Sequence, residues 1–268
     1  MKIGIIGYGN LGKAFVRGLV LTGFCQRDIV INARTEKTRD SVRDEFRDIY
    51  VTDHKEELVN GTDVVILITE PNNAKEVLNE IKEYNMDGKI LMSFMAGITM
   101  SEIRSILGDK QNTVKLVRVM PNIAIQDGKG VIGVTYEEQE DEGIQNILNV
   151  LKKLGYVWKL DEDSLNYITI TAASGLAFAA SVMDSYQKAA NTLFSHPDTS
   201  KDITLRVFEN VIDMVKKEGC SFEDIVARIT TKGGTTEAGM KHLNPEQITE
   251  NLESCMKKSY EKAGNIIS

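Results

Sequence analysis

The chain has 268 residues, of which 42% are hydrophobic and 26% charged, with a net charge of −7. That balance allows a sizeable core in two domains and argues against a nucleic-acid partner, whose phosphates need a basic face. Cys25, Cys220 and Cys255 stand far apart in no metal-ligand spacing, and His54, His196 and His242 supply none, so free thiols in a reducing compartment and no bound metal are expected. Residues 1–6 enter a strand pattern at once, so no signal peptide is expected. No apolar run is expected to reach the roughly 20 residues that span a bilayer, which leaves no membrane partner and the cytoplasm as the expected location.

Short apolar runs over residues 3–6, 29–32, 64–68, 89–92 and 114–119 predict strands, and residues 130–134 and 156–159 predict two more. Amphipathic stretches such as 11–21, 36–46 and 74–84 predict helices between them, the alternation of βαβ units and a mostly parallel sheet. Met92 and Met95 are expected to pack in the core, and Trp158 to bury its ring. The acidic run 137–142 predicts the solvated start of a helix. From Asp161 onward the periodicity is helical. Residues 164–193 predict one long helix, apolar all round, which implies burial in a bundle or against a second subunit. A turn over 196–200 follows, with Asp198, Thr199 or Ser200 as N-cap, and then helices over 201–217, 222–228, 236–243 and 245–266. The domain boundary is placed near Asp161, giving residues 1–160 and 161–268.

Gly7-Tyr8-Gly9-Asn10-Leu11-Gly12 is a GxGxxG that directly follows a strand and opens a helix. In that context Gly7 permits the tight turn, Gly9 admits a pyrophosphate, and Gly12 lets the helix pack closely. The N–H groups opening the helix, with Asn10 and Leu11 in its first turn, favour the anion. A dinucleotide-binding Rossmann domain is expected. The second strand ends Ile31-Asn32-Ala33-Arg34-Thr35, with no acid before Glu36 to bind a ribose 2′-hydroxyl. Arg34 can pair with a 2′-phosphate, and Asn32 and Thr35 can donate to it. NADPH is therefore the expected cofactor, with NADH as the alternative.

Two later segments, Met120-Pro121-Asn122 and Thr230-Thr231-Lys232-Gly233-Gly234-Thr235-Thr236, extend the pattern. With the glycine loop, with Ser93 and Ala96-Gly97, and with Glu162, Thr169 and Ser174-Gly175-x-Ala177, the chain resembles the pyrroline-5-carboxylate reductases over nearly its whole length. The late Gly-Gly-Thr-Thr, followed by Ala238-Gly239 and Leu243, is the most specific part. The resemblance implies an α/β Rossmann N-terminal domain followed by an all-α C-terminal dimerisation domain. It implies NAD(P)H-dependent reduction of the C=N bond of 1-pyrroline-5-carboxylate to L-proline, in a homodimer or a larger assembly of dimers. Ala96, Pro121 and Asn122 would then lie on the cofactor. Thr231, Gly233, Gly234 and Thr235 would hold a small cyclic imine carboxylate, and Thr236 would stand near its ring nitrogen. Backbone N–H groups at such a turn suit a carboxylate.

The chain departs from the family pattern at four places. Ile123-Ala124 replaces Thr-Pro, Leu176 a proline, Thr231-Lys232 a Ser-Pro, and Glu70 the lysine that ends the fourth strand. Ile123 removes a hydroxyl expected near the nicotinamide, and Glu70 and Lys232 change the charge expected near the substrate. Reduction of a different cyclic imine carboxylate, or a nucleotide-binding regulatory role without catalysis, are the alternatives these changes leave.

Overall fold

Strand β1 (Ile3–Ile6) has no exposed face: all four residues are buried. The same holds for β4 (Val64–Leu67) and β5 (Ile90–Ser93), as it must for parallel strands covered by helices on both sides. A computed structural model of the chain describes residues 1–108, 113–137, 141–193 and 196–264. These fall into two units, residues 1–174 with 259–264, and Gly175–Lys258.

The first unit is built on an eight-stranded sheet in the order β3-β2-β1-β4-β5-β6-β7-β8. Its other strands are β2 (Ile29–Asn32), β3 (Tyr50–Thr52), β6 (Lys115–Pro121), β7 (Gly130–Tyr136) and β8 (Gly155–Lys159). Strands β1 to β6 run parallel, β7 runs antiparallel to β6, and β8 runs parallel to β7. Crossovers are made by α1 (Asn10–Leu21), α2 (Glu36–Glu45), α3 (Lys55–Gly61), α4 (Ala74–Ile81) and α5 (Met100–Leu107), and α6 (Glu142–Leu154) precedes β8. Ile3, Ile5, Phe15, Leu19 and Ile144 pack on one face. Ile6, Leu58, Leu67, Leu78 and Ile103 pack on the other. Met92 and Met95 are fully buried, as their positions led one to expect. The strand order reverses direction between β1 and β4, which opens a crevice at the carboxyl ends of these strands.

Several expectations are corrected. The sequence pattern did not reveal β3, which has only three residues. Pro121 closes β6 instead of following it, because β7 continues the pairing as far as Ile132. The β5 side of the ladder has ended at Arg118, so the absent proline N–H leaves no bond unmade. Trp158 is 46% exposed. It sits on the edge strand β8 beside Tyr156, with ring centroids 6.1 Å apart, and among the described residues no further strand covers that edge. Of the acidic run, residues 138–140 lie outside the described residues. Asp141 caps α6 by accepting from the Ile144 N–H at 3.0 Å.

The helix from Leu165 to Leu193 is continuous but not uniform. It comprises α7 (Leu165–Ile168), a π-helical stretch Thr169–Ser174, and α8 (Gly175–Leu193). Its 29 residues are long and apolar enough to cross a membrane by length and composition, contrary to the expectation that no segment would be. In the second unit α8 buries none of its residues among the described residues. It pairs with α9 (Pro197–Glu218) through the edge-on rings of Tyr186 and Phe208, 5.6 Å apart. The N-cap of α9 is His196, not one of the three polar residues expected. Pro197 takes the first helical position, where its fixed φ starts the helix before Asp198 is reached. Helices α10 (Phe222–Ile229), α11 (Thr235–Met240) and α12 (Pro245–Gly264) follow. The predicted end of the last helix, residues 265–266, lies outside the described residues.

Candidate active site

The glycine loop is shaped by what its missing side chains avoid. Gly7 has φ +107°, and a Cβ there would lie 2.4 Å from the Ile68 carbonyl oxygen. A Cβ on Gly12 would lie 2.7 Å from the Gly7 carbonyl oxygen, so α1 approaches the turn at a distance only glycine permits. Gly9 differs: its φ of −78° suits any residue, and a Cβ would meet nothing within 4 Å. The space before Gly9 is open to a ligand. Asn10, Leu11 and Gly12 form the first turn of α1, which no side chain caps, so its N–H groups remain available to an anion.

A cleft of about 430 Å³ runs from Gly7 and Gly9 past Asn32, Arg34 and Thr35 to Ile68, Thr69 and Glu70. Tyr8 forms part of its wall. Burial and the nearby Glu45 carboxylate push the Tyr8 hydroxyl up to about 12, so it stays neutral. Thr38, Ile68 and Thr69 also line the cleft although no motif pointed to them, and Tyr8 does so from a variable position of the glycine motif. Thr38 was legible in principle, one turn after Thr35 at the start of α2.

The end of β2 is braced from several sides. Asn32 is buried, and its Nδ2 donates to the Thr52 carbonyl at 3.2 Å. Thr35 caps α2 by accepting from the Thr38 N–H, and the two threonine hydroxyls are 2.8 Å apart. Arg39 donates from Nη1 to the carbonyls of Ala33 (2.9 Å) and Arg34 (3.2 Å) and pairs with Asp53. Glu36, the first acid after β2 in the sequence, is held by Arg43 and Arg39, whose hydrogen bonds keep its carboxyl below the usual range. It does not line the cleft. Arg34 is exposed, and among the described residues its guanidinium has no partner.

Ala96, Pro121 and Asn122 stand past or at the carboxyl ends of β5 and β6, on the same edge of the sheet as the glycine loop, but they do not line this cleft. Asn122 is buried and its amide is engaged at both ends. Nδ2 donates to the Ala172 carbonyl at 3.1 Å, and Oδ1 accepts from the Val131 N–H at 3.2 Å. Four residues earlier, within β6, buried Arg118 pairs with Glu162 at 2.7 Å. The same Glu162 oxygen accepts from the Met100 N–H that opens α5.

In the second unit, the turn before α11 brings Thr231, Gly233, Gly234, Thr235 and Thr236 together in sequence. Gly233 has φ +77° and donates its N–H to Glu237 Oε2 at 2.8 Å. Gly234 donates to the Thr231 carbonyl at 3.0 Å, and a Cβ there would lie 2.7 Å from Thr231 Oγ1. The two glycine N–H groups are thus taken. Those of Thr235 and Thr236 have no partner among the described residues, and Thr236 is half-buried.

Residues 162–266 match a family model described as pyrroline-5-carboxylate reductase dimerisation. Residues 2–97 match one described as NADP oxidoreductase, coenzyme F420-dependent. A pyrroline-5-carboxylate reductase of Aquifex aeolicus is 27% identical, over 98% of this chain and 96% of that protein. Pyrroline-5-carboxylate reductase 2 of Bacillus subtilis is 27% identical, over 99% and 95%. Over nearly its whole length the chain is similar to the pyrroline-5-carboxylate reductases. The crystal structure of Plasmodium falciparum pyrroline carboxylate reductase with NADP bound shares the fold, with a TM-score of 0.88 at 21% identity, over 100% of this chain and 98% of that one. Against the reductase pattern, the unusual residues now have places. Glu70 is exposed on the cleft, Ile123 is 51% exposed in the 3₁₀ turn after β6, Leu176 is 40% exposed at the start of α8, and Lys232 is exposed in the threonine turn.

Proposed function

We propose that this chain reduces the C=N bond of 1-pyrroline-5-carboxylate to L-proline with NADPH. The observation that carries the reading is the Thr231–Thr236 turn, with open N–H groups at Thr235 and Thr236, inside the segment that matches the reductase dimerisation model. The chain divides functionally at Asp161: residues 1–160 take the cofactor, and residues 161–268 supply the substrate turn and the dimer.

The open space at Gly9 and the uncapped first turn of α1 fit a pyrophosphate. Gly7, Gly9, Asn10, Leu11 and Gly12 would hold it. Arg34 and Thr35, joined by Thr38, would take the 2′-phosphate, with Asn32 fixing the strand end beneath them. Ala96, Pro121 and Asn122 would bound the nicotinamide side. NADPH, when bound, supplies the hydride. The reaction adds that hydride to the imine carbon and a proton, drawn from solvent, to the ring nitrogen. Thr231, Gly233 and Gly234 shape the turn, and Thr235 and Thr236 donate N–H groups to the carboxylate. The Thr236 hydroxyl hydrogen-bonds the ring nitrogen; a hydroxyl is too weak an acid near neutrality to protonate it, so its part is to orient and polarise the imine.

NADPH oxidation on adding pyrroline-5-carboxylate, with proline as the product, is the direct test; absence of turnover with NADPH bound would remove the reading. Thr236→Val, which deletes the hydroxyl and keeps the shape, is expected to lower kcat by about tenfold or more; an unchanged kcat would take Thr236 out of the mechanism. Arg34→Ala is expected to weaken NADPH by about ten- to a hundredfold, the worth of a charge-assisted pair to phosphate, and to leave NADH within about twofold. Equal losses for both cofactors would exclude Arg34 from the 2′-phosphate.

The apolar helix Leu165–Leu193 is read as a homodimer surface in a cytoplasmic enzyme. It carries the charged pair Asp184–Lys188 at 2.7 Å with Gln187 and Asn191 nearby in sequence, a costly set in a bilayer. Sedimentation is expected to show a dimer or a multiple of dimers. A monomer in detergent-free buffer would refute this part. The free thiols of Cys25, Cys220 and Cys255 are compatible with a reducing compartment.

A further inference from the structure

The threonine turn contains a contact that the reaction itself does not call for. Glu237 lies in the first turn of α11 and folds back so that Oε2 accepts the Gly233 N–H at 2.8 Å. Lys241, one turn on, stands 3.6 Å from the same oxygen. Gly233 is at φ +77° with nothing within 4 Å of where a Cβ would be; the Gly234 N–H to Thr231 carbonyl bond closes the turn around it, and Glu237 ties its own N–H to α11. The Glu237 carboxylate is the only side chain among the described residues that bonds the Gly233 backbone. Resting on the pyrroline-carboxylate reading, we infer that Glu237 is a positioning residue. It fixes the Lys232-Gly233-Gly234 turn, and by taking the Gly233 N–H it leaves the substrate carboxylate to the N–H groups of Thr235 and Thr236.

The physical content is preorganisation. A glycine pair before a short helix samples many conformations when free, and each must be given up on binding. A hydrogen bond from Gly233 across the turn removes part of that cost before substrate arrives. The effect belongs to substrate binding and not to cofactor binding, because the cofactor cleft is built from other residues. What the turn needs is an acceptor four residues on. The charge of that acceptor is secondary, and Gln can provide the same carbonyl oxygen.

The test compares Glu237→Ala with Glu237→Gln in the full-length enzyme. Glu237→Ala is expected to raise KM for pyrroline-5-carboxylate by about tenfold, the worth of one hydrogen bond across the turn. kcat and the NADPH Kd should stay within about twofold, and Glu237→Gln should recover most of the KM. Hydrogen exchange at the Gly233 amide should be slowed in the wild type and in Glu237→Gln but fast in Glu237→Ala. An unmoved KM in Glu237→Ala, or equal losses in the two variants, would overturn the inference while leaving the proline-forming activity in place. Absence of wild-type turnover would instead strike the activity, and with it the substrate role assigned to Glu237.

Discussion

Gly9→Ala is expected to leave the thermal midpoint of the ligand-free protein within about 1 °C of wild type while weakening NADPH binding by about a hundredfold, or near 3 kcal/mol. The reason lies in the difference between three glycines of one loop. A Cβ on Gly9 meets no protein atom within 4 Å, and its backbone angles suit alanine. The methyl group therefore costs the empty fold nothing and stands where a pyrophosphate must approach the backbone. Gly7→Ala makes the opposite comparison. It places a methyl group 2.4 Å from the Ile68 carbonyl oxygen at a φ of +107°, so it should lower the midpoint as well as the affinity. Paired calorimetry and NADPH titration of the two variants would check this. A Gly9→Ala protein that binds NADPH as wild type does would mean the cofactor passes elsewhere.

Glu162→Ala is expected to destabilise the protein by about 3 kcal/mol, read from the urea midpoint. It strands a guanidinium in the interior. The Arg118 side chain is 3% exposed, and its charged partner is Glu162 at 2.7 Å. Its Nε is already without a hydrogen-bond partner, so the loss of the carboxylate leaves little to compensate it. The variant also removes the acceptor for the Met100 N–H at the start of α5. Replacing both residues together, as Arg118→Met with Glu162→Leu, should recover most of the loss, because two apolar side chains leave no buried charge behind. A single variant that loses less than about 0.5 kcal/mol would show the pair to be without energetic weight.

Strands β1, β2, β4 and β5 were legible because each is a short, mostly apolar run with no polar alternation, as burial on both faces requires. The β3 segment was not, since a run of three residues, Tyr50–Thr52, has too little length to show a period. Trp158 was misplaced because a strand's sequence does not say whether a neighbour will cover its edge. The apolar surface of the long helix was legible, but the single chain does not bury it: Tyr186 is 44% and Leu193 91% exposed. In the candidate site the motifs located the glycines and threonines, while the state of their N–H groups stayed hidden. That Glu237 occupies Gly233 depends on a side-chain torsion and a backbone turn set jointly, and neither has a sequence signature. The same holds for Arg39, whose charge is legible but whose hold on the Ala33 and Arg34 carbonyls is not.

With Arg34 in its proposed place on the 2′-phosphate, that hold makes cofactor choice cheap to change. The shape of the turn after β2 is maintained by Arg39 and the Asn32 amide, and the Arg34 side chain contributes nothing to it. Substitutions at 34 can therefore drift through a population at almost no cost in folding, whereas those at Gly7 or Gly12 are purged for stability before their effect on binding matters. A lineage could move between the phosphorylated and unphosphorylated dinucleotide through neutral intermediates, with the fold indifferent throughout.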